Sequence, residues 1–283
     1  MKDNSDNQIF EKAPLRDRMT VYVGVFVVLL VSWFYILGMG WHMNTLPFVE
    51  NKMMNMSMDM EKSMSFLDTI LMWMPPSSGS WILSDFVLLF LMWSVMMIAM
   101  MTPSILPMLM LFTTLNARNK SKGKDTSSTL LLLAGYLMSW VLFSLVITLP
   151  EYAMHKSGLL NPMMEPTHAY LGSVMLIIAG IYQFTPFKDA CLTVCQSPLT
   201  FLMNNWKDGN LGAFLVGYKH GFYCIGCCWA LMLTLFALGV MNIMWVMVLT
   251  IFVLFEKLSY KNPLLFRRVT GYALILWGIL LVY

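Results

Sequence analysis

Residues 211–238 read LGAFLVGYKHGFYCIGCCWALMLTLFAL. This apolar run exceeds the roughly 20 residues that a helix needs to cross the hydrocarbon of a bilayer. Its polar residues are not scattered. At about 100° per helical residue, with His220 as zero, Cys224 falls near 40°, Cys227 near −20° and Cys228 near 80°. One histidine and three cysteines therefore share one face of a buried helix. Gly217 and Gly221 lie on the same side, where a neighbouring helix is expected to approach closely. Trp229 is expected to point the other way, toward lipid.

The rest of the composition agrees with a membrane setting. The chain is 58% hydrophobic and 12% charged over 283 residues, more apolar surface than a soluble domain can hide. Fifteen of its 18 Lys and Arg fall in four places: the first 19 residues, the 116–128 loop, the 186–219 connection and the 257–268 loop. Only Lys52, Lys62 and Lys156 lie on the other side. The positive-inside rule then puts the N-terminus in the cytosol. The fold class expected is an all-α polytopic membrane helix bundle with about seven transmembrane helices, multi-pass in the cytoplasmic membrane of a prokaryote. A net charge of +3, with basic residues that follow topology, argues against a nucleic-acid partner.

The chain divides accordingly. Residues 1–19 form a cytosolic tail, 20–40 a first transmembrane helix, and 41–80 an outer Met-rich loop with an interfacial helix. Residues 81–260 form a membrane core, and 261–283 a C-terminal loop with a short last span. The apolar stretch 81–115 is too long for one upright span, so Pro103 and Pro107 are expected to bend or split it. Met92, Met96 and Met100 recur there every four residues. Spans follow at 129–149, 167–185, 211–238 and 240–256. Cys191 and Cys195, four apart on a short helix between Pro186 and Pro198, share a face that returns to the same side as the His220 cluster.

Methionine is the compositional outlier, with 29 copies. Thioethers fill gaps in apolar packing, but they are also soft ligands suited to Cu(I). In the outer loop Met56 and Met60 would line one face of a helix, and His42 stands where the first span ends. Thiolate plus imidazole suits Cu(I) or Zn(II). Copper (Cu(I)) is favoured, with zinc as the alternative, because methionine is a poor zinc ligand. One helix cannot enclose an ion, so His220, Cys224, Cys227 and Cys228 need Cys191, Cys195 or a methionine to complete the set. Cys224-x-x-Cys227 also has redox spacing, which leaves a membrane thiol-disulfide protein, or a redox or assembly subunit of a larger membrane complex, as alternatives. No phosphate-cradling loop, nucleophile elbow or HExxH motif is present, and no catalytic residue is assigned. The expectation is a carrier rather than an enzyme.

Several segments carry a family resemblance: Met92-Trp93 through Pro103-Ser104; Tyr182-Gln183 with Thr185-Pro186, Lys188, Cys191 and Cys195; and His220-Gly221 with Tyr223-Cys224 and Gly226-Cys227-Cys228-Trp229. Gly239, Met241-Asn242, Trp245 and Glu256-Lys257 continue it. Over about residues 81–260 the chain resembles an uncharacterised family of predicted metal-binding integral membrane proteins that carries a domain of unknown function. The resemblance implies a multispanning prokaryotic protein whose His and Cys residues are metal ligands.

The partners expected are the lipid bilayer, a metal ion, and a membrane metalloenzyme or metallochaperone that exchanges copper with it.

Overall fold

The computed structural model describes residues 14–42, 81–121, 123, 126–161, 164–258 and 263–282. The outer Met-rich loop, with Met56 and Met60, lies outside the described residues, as does the side chain of His42. Among the described residues the chain is helical: α1 (Leu15–His42), α2 (Leu83–Ser121), α3 (Thr129–Lys156), α4 (Ala169–Tyr182), α5 (Pro186–Gln196), α6 (Pro198–Asn205), α7 (Gly209–Leu238), α8 (Ile243–Leu258) and α9 (Pro263–Leu280).

Four of these, α1, α2, α3 and α7, are long and apolar enough to cross a membrane, and the pair α4 and α5, bent by 67°, makes up to five. The sixth and seventh expected spans correspond to α8 and α9. With 16 residues α8 is about 24 Å long, against about 30 Å of hydrocarbon, and α9 carries Arg267 and Arg268.

Outward faces are apolar, as lipid contact demands: Phe26, Leu30, Val31 and Phe34 on α1, and Leu145, Val146 and Leu149 on α3, are all exposed. The core lies where α2, α3 and α7 meet. Trp93, Tyr136, Trp140, Met97, Met101, Cys224 and Cys228 are sealed there.

Of the bend or split expected at Pro103 and Pro107, the split does not occur, for α2 runs unbroken through both prolines over 39 residues. Hydroxyls on adjoining turns bond the backbone carbonyls, Thr102 Oγ1 to Ile98 O at 2.6 Å and Ser104 Oγ to Met101 O at 2.8 Å. Such side chains let a membrane helix tolerate proline.

The glycine expectation holds. A Cβ on Gly217 would sit 2.0 Å from Leu132 O, and one on Gly135 2.0 Å from Phe214 O. So α3 and α7 touch backbone to backbone, and only glycine permits it. Gly239, at φ +93, ends α7 and turns the chain directly into α8. Trp229 differs from expectation: it is half-buried, with its ring 5.1 Å from that of Tyr182 on α4, because α4 packs along this side of α7.

Candidate functional site

The proline that opens α5 and the Thr185 cap, which accepts from Lys188 N, turn the chain after α4 back across the face of α7. Cys195 arrives there opposite Cys227, Sγ to Sγ 3.8 Å. Cys227 and Cys228 have their sulfurs 3.3 Å apart. The Cys227 thiol donates to Cys224 O at 3.1 Å. Cys224 neighbours the other three thiols and is completely buried, as are Cys227 and Cys228. Four of the sequence-predicted residues are thus brought together from two helices.

Cys191 is placed differently. It is buried on the same helix, but its sulfur packs on the bare backbone of Gly226, where a Cβ would approach it to 2.7 Å. Its thiol joins none of the sulfur contacts that link Cys195, Cys224, Cys227 and Cys228.

His220 lies one turn before Cys224, 4% exposed. Its ring is 5.1 Å from Phe201 and 6.0 Å from Tyr136, and its Nδ1 has no hydrogen-bond partner. It helps line a cavity of about 160 Å³ together with Cys195, Lys257, Met108 and Ser104. A buried ring nitrogen without a partner, on a residue that lines a cavity shared with a thiol and a thioether, is a donor left open.

Sequence reasoning missed the charge at the centre. Lys257 ends α8 and reaches in to donate to Cys224 Sγ at 2.8 Å and Ser104 Oγ at 2.9 Å. Tyr136 OH lies 3.0 Å from Cys224 Sγ and 3.2 Å from Ser104 Oγ. Side chains of α3 and α8 therefore meet the sulfur carried by α7, and Ser104 of α2 bonds to both of them. Beside Lys257, Glu256 forms a 2.6 Å ion pair with Lys188 of α5, the two being 2% and 0% exposed. An ionisable pair buried among the helices of a membrane protein is costly and marks a functional region. The signal was the Glu256-Lys257 dipeptide closing an apolar run.

Among the described residues no three His, Cys, Asp or Glu side chains stand in a finished metal geometry. The contacts show why: Cys227 turns its thiol to a backbone carbonyl, and Lys257 takes up one direction at Cys224. The donors nonetheless suit a soft monovalent ion, since thiolates and thioethers favour Cu(I).

No curated protein and no solved structure matches the chain. Residues 90–281 match the family model described as PpoB2, copper chaperone, which narrows the expected kinship with metal-binding membrane proteins to copper. That match covers well over half of the chain, takes in all four clustered thiols, His220 and Lys257, and makes this protein a member of the PpoB2 copper-chaperone family.

Proposed function

We propose that this protein carries Cu(I) as cargo in the cytoplasmic membrane, held by Cys224, Cys227, Cys228 and Cys195, and passes it to an acceptor protein. The observation that supports this best is the meeting of thiols from α5 and α7, 3.3–3.8 Å apart, beside a buried ammonium. Two thiolates and one Cu(I) carry a net charge of −1, and Lys257 balances it. Taking up copper needs a turn of the Cys227 thiol away from its carbonyl, a local rotation rather than a change of fold. His220 and Met108, on the cavity beside the thiols, are the donors through which an acceptor would draw the ion out. Met56, Met60 and His42 collect it on the outer side, and Cys191 braces α5 behind the site.

The reading is tested by elemental mass spectrometry and X-ray absorption on detergent-purified protein loaded under reducing conditions. About one copper per chain with a sulfur-dominated shell is expected. Zinc in its place, or no copper after loading, overturns it.

The same preparation checks Lys257. Lys257→Met removes the balancing charge while keeping the length of the side chain. Outer partners of metal ligands are worth about 10–100-fold in affinity, so competition against a chromogenic Cu(I) chelator should show binding weaker by that factor. Unchanged affinity would reduce Lys257 to a packing residue.

A further inference from the structure

We propose that the seam between α2, α3 and α7 is a sulfur-lined passage for Cu(I) that joins Glu151 to Cys224; the inference rests on the thiol site proposed above. Two contacts fix the antiparallel register of α2 and α3. The Trp93 indole N–H donates to Glu151 Oε2, and Ser104 Oγ meets Tyr136 OH at 3.2 Å. From Trp93 to Ser104 the helix rises about 16 Å. The third wall is α7, held by the stack of Phe236 on Trp93, 5.3 Å between centroids, and by the contact of Cys224 with Tyr136.

Between these anchors the α2 face directed into the seam is sulfur. Met96, Met97, Met100 and Met101 share an arc of about 140° at about 100° per residue and are 0–3% exposed. The register places Met232 of α7, itself sealed, at the level of Met97, and Cys228 one turn further toward Cys224. The thioethers of α2 and Met232 thus form rungs about one helical turn apart, and the last rung, at Met101, lies level with Cys228. Across the seam α3 contributes Trp140, Ser144 and Thr148, all buried.

Packing alone accounts for a methionine stripe. It does not account for the end of this one. Glu151 is wholly buried, and its Oε1 has no hydrogen-bond partner. Leaving such an oxygen unsatisfied is destabilising, and a carboxyl sealed among the apolar helices of a membrane protein points to an ion pathway. A monovalent cation answers it. At the entrance the carboxyl releases its proton outward as the cation arrives and only then supplies opposite charge, and the thioethers supply neutral soft donors that bind weakly enough to let go, as conduction through successive sites requires. At each rung copper exchanges one sulfur for the next, stays Cu(I), and moves no electron or proton. The anionic thiolates at Cys224 are the stronger ligands and draw the ion on. His155, one turn beyond Glu151 with its Nδ1 3.3 Å from Trp81 Nε1, stands at the mouth.

The experiment uses the full chain in liposomes that enclose a fluorescent Cu(I) chelator, with Cu(I) and ascorbate added outside. Wild type should admit copper well above protein-free liposomes. Met97→Leu/Met100→Leu, which conserves volume, and Glu151→Gln should each cut initial influx at least tenfold. Equilibrium copper content in detergent should stay at the wild-type level, because there the cavity beside Lys257 reaches the thiols directly. Influx equal to wild type in both variants, or wild-type influx no faster than empty liposomes, overturns the passage and leaves the thiol site standing. Wild type that holds no copper in detergent overturns the thiol site and the passage together.

Discussion

Cys224→Ser is expected to leave the purified protein with less than a tenth of its copper, whereas Cys191→Ser keeps nearly all of it. The two residues look alike in the sequence, each half of a pair of cysteines at helical spacing. The fold separates them. Cys224 is where side chains of α3 and α8 meet α7, with Lys257 at 2.8 Å and Tyr136 at 3.0 Å, while Cys191 lies against Gly226. Serine preserves shape and the hydrogen bond from Lys257 but replaces a soft donor by a hard one that Cu(I) does not favour. Elemental analysis beside a thermal melt in detergent decides it. Equal retention in both variants would remove Cys224 from the site, and loss in both would draw Cys191 into it.

The part of this site that lies on one helix was legible, because angular position on a helix follows from residue number alone. His220, Cys224, Cys227 and Cys228 do line one buried face, and Gly217 does admit α3. What needed the tertiary fold was less visible. Lys257 reaches Cys224 only because α8 turns back immediately after Gly239, and Ser104 faces it only because α2 continues through Pro103 rather than breaking there. Two prolines in a long apolar run predict a bend or a split, yet the hydroxyls of Thr102 and Ser104 bond to the backbone on the same turns, a local compensation that periodicity does not report. The angle of Trp229 on α7 points it away from the thiols, but that side is covered by α4, whose Tyr182 donates its hydroxyl to Gly226 O. Spacing also placed Cys191 and Cys195 on one face without saying which of the two the bend after α4 would bring to Cys227.

Breaking the ion pair between Lys188 and Glu256 should cost more stability than any other single polar change in the described residues. Both groups are nearly inaccessible and 2.6 Å apart. Removing one strands the other charge, at about 3–5 kcal/mol for a buried pair. Lys188→Met and Glu256→Gln should therefore each melt far below wild type in detergent. The double replacement Lys188→Met/Glu256→Leu should recover most of the loss, since two apolar residues of similar volume often match a buried pair. Asp189 provides the contrast: it pairs with the buried Arg267 at 2.8 Å but is itself 50% exposed, so water at the carboxylate offsets part of the loss and Asp189→Asn should cost less stability than either single change at the Lys188–Glu256 pair. The pair also bears on copper. Glu256 holds α5 through Lys188, and its backbone oxygen accepts from Gln196 at 3.0 Å, while the next residue, Lys257, holds Cys224. One end of α8 thus positions both helices that carry thiols. If α5 is released, Cys195 leaves Cys227, so the single variants should lose copper affinity along with stability, and the double variant should regain both. Small and equal losses for Glu256→Gln and Asp189→Asn would mean instead that α5 is held by its apolar face, with the buried pair contributing no more than the half-exposed one.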